Sequence, residues 1–219
     1  MNLVVFDFCE TLVPFQSADA FVNFVVENNP ENKDGKKWSD LILNSKVVLV
    51  FFNKFFPTYN FSKRKVVAKL KGMEQNEVEK LALEYSQKLG TTLIPELMDK
   101  FYYHKSIGDE IIIISGGYEI YLKHFAEKFG FNACYATKIK FSNNRCSGAF
   151  SGNDCMFDQK VTYAEEYKKA MKTKPNKTIV YTDSESDIKL MQWADEGIVV
   201  SKSPQLWAKK FNFNEIIWK

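Results

Sequence analysis

The sequence predicts an α/β fold: a doubly wound, mostly parallel sheet with one helical insertion. Three observations predict it. Strand-like runs at Leu3 to Phe6, Glu110 to Ile114 and Lys177 to Thr182 each give way to a polar residue, Asp7, Ser115 and Asp183. Stretches with helical spacing of apolar residues separate the later runs. Residues 7 to 109 separate the first run from the second, whereas a simple strand-helix-strand unit takes roughly thirty residues.

Leu3 to Phe6 is an unbroken apolar run, which suits a strand covered on both faces. Asp7 follows it, at the end where open α/β sheets bind ligands. It reads as a reacting group or as a turn or capping aspartate. Ala18, Phe21, Val22 and Val25 then mark one helix face, and Val78, Leu81, Ala82, Tyr85 and Leu89 mark another. Pro95 suits the first turn of a third helix carrying Leu97, Met98 and Phe101. Between them lie a polar break, Glu27 to Lys37, and an aromatic-rich piece, Trp38 to Phe61, whose stripe reads as packing rather than a substrate box.

After Ser115-Gly116-Gly117 the alternation resumes. Leu122, Phe125, Ala126 and Phe129 line a helix that Gly130 ends, and Asn132 to Thr137 reads as a short strand. Lys138 to Gly152, centred on Asn143-Asn144, reads as an antiparallel hairpin. Ala164, Tyr167 and Met171 mark the next helix, Ile188 to Trp193 another, Gly197 to Val200 a strand and Phe213 to Trp218 an edge strand. The sum is a Rossmann-like α/β core with a helical insert.

Thirty basic against 27 acidic residues leave a formal charge of +3, with no basic patch to favour nucleic acid. Cys9, Cys134, Cys146 and Cys155 include no C-x-x-C pair, and two histidines argue against a common zinc site. Free thiols suit a reducing cytosol. The amino terminus lacks the features of a secretion signal, and the longest apolar segment, Val47 to Phe52, is too short for a bilayer. The expectation is a cytoplasmic protein without a membrane or nucleic-acid partner. Oligomeric state is not legible.

If the strand ends are neighbours, Asp7, Ser115 and Asp183 converge, with Asp187 four residues beyond Asp183. Three carboxylates make an oxygen-rich site suited to Mg²⁺. Ser115-Gly116-Gly117 at a helix start offers a hydroxyl and N–H groups to phosphate oxygens. Lys160, ahead of the helix at Thr162, is placed to supply a cation. Each piece has an ordinary counterpart: a plain turn, helix caps, a surface lysine.

In order, Asp7-Phe8-Cys9-Glu10-Thr11-Leu12, Ser115-Gly116-Gly117, Lys160 and Asp183 through Asp187 resemble the four motifs of the haloacid dehalogenase superfamily, and most resemble its phosphoserine-phosphatase-like branch. The resemblance implies a catalytic core over 1–14 and 106–219 with a helical cap over 15–105. It implies a Mg²⁺-dependent phosphatase acting on a small phosphorylated metabolite. Asp7 would form an aspartyl phosphate, and Asp7, the Cys9 carbonyl, Asp183 and Asp187 would serve the metal. Ser115, Gly116, Gly117 and Lys160 would bind the phosphoryl group.

The chain also departs from that pattern. Cys9 stands where the family has an aspartate that acts as acid and base, and a thiol with a pKa of about 8.5 is a poor substitute; Glu10 is another group for that part. Gln16 replaces a glutamate that meets a substrate amine, which weakens the case for free phosphoserine. Thr182 replaces a glycine and is expected to crowd the pocket. The implied substrate is an amino alcohol phosphate or a phosphorylated sugar derivative in a biosynthetic pathway. The alternative is a phosphotransferase or phosphate-binding regulatory relative, with hydrolysis weakened by Cys9. A receiver domain fits poorly, because its acidic pair would come too late and the insert has no counterpart.

Overall fold

The computed structural model describes residues 1–29 and 61–219. At its centre is β1 (Leu3–Phe6), whose four side chains are all buried. It pairs in parallel with β2 (Glu110–Tyr118) on one side and with β6 (Thr178–Thr182) on the other. Outside these lie β3 (Ala133–Thr137) next to β2, and β7 (Glu196–Ser201) then β8 (Asn214–Ile217) beyond β6, every pairing parallel. The chain builds one half of the sheet before the other, so strand order reverses beside β1. The crevice beyond the carboxyl ends of the strands lies at that reversal.

Alternation along the strands divides the core. Val4, Phe6, Ile111, Ile113 and Tyr181 face one helical layer, and Leu3, Val5, Ile112, Ile114 and Val180 face the other. The first layer holds α1 (Ser17–Asn28), α3 (Gln75–Leu89), α4 (Pro95–Ser106) and α5 (Glu119–Phe129). The second holds α6 (Asp158–Ala170), α7 (Ile188–Trp193) and α8 (Leu206–Lys210). A further helix, α2 (Phe61–Ala68), packs against an antiparallel hairpin of β4 (Ile139–Ser142) and β5 (Arg145–Phe150). Asn143 and Asn144 turn that hairpin with φ of 50° and 58°, which Asn tolerates better than most residues.

The apolar faces read from spacing are the buried ones: Phe21, Val22 and Val25 in α1, Leu81 and Tyr85 in α3, Leu97 and Phe101 in α4. Phe101 meets Phe6 edge-on, with ring centroids 6.4 Å apart, so α4 lies directly on the sheet. Truncating such a buried ring to alanine costs about 3 to 5 kcal/mol. Gly130 closes α5 at φ 80°, where a side chain would be strained.

Two local expectations are corrected. Ser115-Gly116-Gly117 is not a turn at a helix start; β2 runs on to Tyr118, pairing with Thr137 after a register shift, and α5 begins only at Glu119. Lys160 lies inside α6 rather than ahead of it, because Ala164 and Tyr167 mark only the part of the helix that packs on the sheet. Helices α2 and α8 carried too few apolar positions to be read. The Val47 to Phe52 run, the polar break beyond Asn29 and the aromatic-rich stretch up to residue 60 lie outside the described residues. Among the described residues, no helix is long and apolar enough to cross a membrane.

Candidate active site

Asp7 leaves β1 with its N–H donating to the Tyr181 carbonyl at 2.9 Å, which carries strand pairing one residue past the end of the strand. Its Oδ1 accepts from the Phe8 N–H at 2.6 Å, and its Oδ2 lies 3.0 Å from Lys160 Nζ. Glu10 then takes φ 55°, a left-handed conformation uncommon outside glycine. The chain is thereby turned, and both Cys9 and Glu10 line a cavity of about 270 Å³ together with Asp7. The same cavity is lined by Ser115, Gly116, Lys160 and Asp183. Residues distant in sequence are therefore gathered in one place, as strand-end convergence requires.

Lys160 is buried, and its Nζ donates to Asp187 Oδ2 at 2.6 Å while also facing Asp7. Burial alone would discharge it, but Asp187 and then Asp7 hold its pKa above the ordinary lysine range. Asp187 also accepts from Thr182 Oγ1 at 2.7 Å, while its Oδ1 is buried with no hydrogen-bond partner among the described residues. Burial pushes the Asp187 carboxyl up, opposed by Lys160. Thr182 does not crowd the cavity: its hydroxyl is turned onto Asp187 and accepts from the Ser184 N–H.

Asp183 is pushed up to about 7, first by burial and then by its proximity to Asp7. Thr11 opposes this shift: its hydroxyl donates to Asp183 Oδ1 and accepts from the Asp183 N–H, both at 3.0 Å. Asp183, raised by burial and by the neighbouring Asp7 carboxylate beside a cavity, forms with it a donor set that a divalent cation would relieve. Among the described residues no cluster of three His, Cys, Asp or Glu side chains could hold a metal unaided. A cation here would take two carboxylates, a backbone carbonyl and water, and the orphan Asp187 oxygen shows that polar capacity remains beside them.

The Cys9 thiol is turned to Ser17 Oγ at 3.0 Å, and Ser17 Oγ lies 2.7 Å from the Tyr121 hydroxyl. Burial and then Asp7 push the thiol up, opposed by Ser17 and by backbone groups at the start of α1. Gln16 and Glu10 pair with one another on the cavity wall, Gln16 Nε2 donating. Gly117 is not on that wall. Its N–H donates to Ser115 Oγ at 3.1 Å, and a Cβ there would come within 2.6 Å of the Tyr121 hydroxyl. Of the two glycines, Gly116 alone is presented to the cavity.

Sequence reasoning gave no role to several residues. Thr11 stood inside the first motif, and its position four residues after Asp7 was the available signal. Ser184 and Ser186 line the cavity from within the acidic last motif. Ala18, Asp19, Ser62 and Lys63 line it from the inserted segment, and Met156 from the turn before α6. Nothing in the spacing of α2 distinguished Lys63 from its neighbouring lysines.

The family model described as haloacid dehalogenase-like hydrolase matches residues 4–192. No curated protein sequence matches the chain. Among solved structures, a protein of unknown function from Bordetella pertussis Tohama I is similar with a TM-score of 0.77 and 16% identity, over 98% of this chain and 97% of that one. A phosphoserine phosphatase in its apo form gives 0.67 and 20%, over 100% and 94%. A phospho-aspartyl intermediate analogue of phosphoserine phosphatase gives 0.63 and 20%, over 100% and 93%. At these identities the likeness establishes the fold.

Proposed function

The chain belongs to the haloacid dehalogenase-like hydrolase family, and from that premise we propose that it is a cytoplasmic, Mg²⁺-dependent phosphatase of a small phosphomonoester. The observation that carries this reading is the setting of Asp7: a carboxylate at the end of the central strand, 3.0 Å from a buried lysine, on one cavity wall with Ser115, Gly116 and Asp183. Phosphoryl transfer is catalysed chiefly by positioning and by charge stabilisation. Those are the resources present.

In this reading an Asp7 carboxylate oxygen attacks phosphorus, the alcohol leaves, and water later releases phosphate from the aspartyl phosphate. Lys160 offsets the charge of Asp7 and keeps its carboxylate oriented. Ser115 Oγ and the Gly116 N–H receive phosphoryl oxygens. Asp7, Asp183 and the Cys9 carbonyl would hold Mg²⁺, with Asp187 supporting the shell, and the ion would supply neutralisation of phosphate charge. Residues 15–105 are the insertion, part of which caps a core formed by 1–14 and 106–219. Supporting this, Ala18, Asp19, Ser62 and Lys63 wall the cavity; α4, packed on the sheet, is not part of the covering surface.

The cavity volume favours a small substrate, and the exposed carboxylates Glu10 and Asp19 on its lining favour an alcohol without negative charge. An amino alcohol phosphate or a phosphorylated sugar derivative fits both. The test is phosphate release from a panel of small esters with Mg²⁺. Release that is abolished by chelator and by Asp7→Asn is expected. No release, or release indifferent to Asp7→Asn, contradicts the reading.

One observation favours a second reading. Cys9, tied to Ser17 and with its thiol pushed up, is a weak proton donor and a poor base. Hydrolysis would then be slow, and the chain would act as a phosphotransferase or a phosphate-binding regulator. Faster phosphoryl transfer to an added alcohol than to water would select it.

A further inference from the structure

Lys63 lines the cavity from the inserted helix α2, and its ammonium is engaged by residues that do not line it. It donates to Asp154, with which it forms a buried ion pair, and to Thr137 Oγ1 at 2.8 Å. It also lies over the rings of Tyr118 and Phe150, 5.5 Å and 5.2 Å from their centroids. Neither Asp154 nor Thr137 is on the cavity wall. Thr137 completes the arrangement, donating to Asp154 Oδ1 at 2.6 Å and accepting from the Cys155 N–H at 3.1 Å.

The pair is a costly way to fill this position. Desolvating two charges consumes most of what their attraction returns, and Asp154 Oδ2 is buried without a hydrogen-bond partner among the described residues. An apolar pair of similar volume would hold α2 to the segment that follows the hairpin as well. What the charged pair does that an apolar pair would not is to set the electrostatics of the wall. A bare lysine on a cavity that takes a phosphoester would attract a second anionic group on the substrate. With Asp154 paired to it, that wall is neutral, and the exposed charges that remain, Glu10 and Asp19, are negative.

We propose that Asp154 is a specificity-determining residue: by offsetting the charge of the Lys63 ammonium, it makes the site discriminate against phosphomonoesters whose alcohol carries a carboxylate. The inference rests on the reading that the cavity takes a phosphomonoester, but not on turnover. Asp154→Asn keeps the shape of the side chain and the bond from Thr137 while removing the charge that occupies Lys63. The Lys63 charge is then no longer offset by Asp154 and can act on a ligand carboxylate.

The test is calorimetric binding of two non-hydrolysable ligands in Mg²⁺ buffer, ethylphosphonate and phosphonoacetate, which differ in a methyl and a carboxylate. The wild-type protein should bind ethylphosphonate at least as well. Asp154→Asn should shift the ratio of the two affinities toward phosphonoacetate by about tenfold, and Lys63→Met added to it should abolish the shift. An unchanged ratio in folded Asp154→Asn overturns the proposal and leaves the pair a structural clasp. Should Asp154→Asn not fold, Lys63→Met alone decides. A selective loss of phosphonoacetate binding would mean that the lysine already engages a carboxylate, against the proposal; a preserved ratio supports it. If both phosphonates bind but no ester is hydrolysed, the phosphatase reading fails while the discrimination stands. If neither binds, both fail.

Discussion

Two buried lysines line the same cavity, Lys160 from the core helix α6 and Lys63 from the inserted helix α2, and their surroundings differ. Lys160 lies between Asp187 and Asp7, which hold its charge above the ordinary lysine range against the pull of burial. Lys63 is drawn the other way: burial dominates and lowers it, with Asp154 opposing. The first cation is fixed between the carboxylates of Asp7 and Asp187. The second is held against burial mainly by one carboxylate, Asp154, so a change of that residue alters what the wall presents. Under the proposed function the core would set the chemistry and the insertion the choice of ligand.

The largest expected effect breaks this comparison if it fails. Lys160→Met should lower turnover by about 10²- to 10³-fold and stability by about 3 to 5 kcal/mol, because it leaves buried carboxylates uncompensated. Lys63→Met should cost less in unfolding experiments, about 1 to 3 kcal/mol. Equal losses in denaturant titrations and steady-state rates would erase the distinction between the two lysines.

Next in size is Cys9→Asp. A carboxylate there would meet the Ser17 hydroxyl and the backbone at the start of α1, now around the thiol. Turnover of esters with poor leaving groups should rise by up to about 10²-fold; an unchanged rate would mean that proton transfer is already supplied elsewhere. Thr11→Val should then weaken Mg²⁺ dependence by about tenfold, since it removes both contacts that orient Asp183. An unaltered Mg²⁺ titration of activity would place Asp183 outside the metal shell.

The smallest effect comes from a pair remote from the cavity. Asp109 accepts from the Asn2 N–H at 2.6 Å and lies 2.8 Å from His104 Nδ1. Burial raises its carboxyl, but the bonds from Asn2 and His104 outweigh it and leave the folded pKa below the ordinary aspartate value. Its stabilisation is therefore present above about pH 4 and is lost as pH falls through the folded value. Asp109→Asn should cost about 1 to 3 kcal/mol at neutral pH, and the difference from wild type should shrink in acid. A difference constant with pH would show that the carboxylate charge is not what Asn2 and His104 hold.

Much of this was legible in the sequence for a simple reason. Asp7 and Asp183 follow runs rich in β-branched residues, so their position at strand ends comes from local chemistry; Ser115 lies inside β2, and parallel pairing brings the three together. Ser115-Gly116-Gly117 misled because glycines suggest a turn, whereas Gly117 is small to admit Tyr121 and Leu122 behind the strand. Lys63 and Asp154 were invisible because their pairing depends on how α2 packs against the β4–β5 hairpin, residues far apart in the chain whose contact no local pattern announces. Thr182 was misjudged for a related reason: its hydroxyl has a partner, Asp187, that only the fold supplies.

The most direct measurement is acid-quenched single turnover with a phosphoester radiolabelled at phosphorus, followed by peptide mapping. Label should appear transiently on the peptide containing Asp7 and be absent from Asp7→Asn. Phosphate release without labelled protein, or label on a different residue, would contradict the role assigned to Asp7.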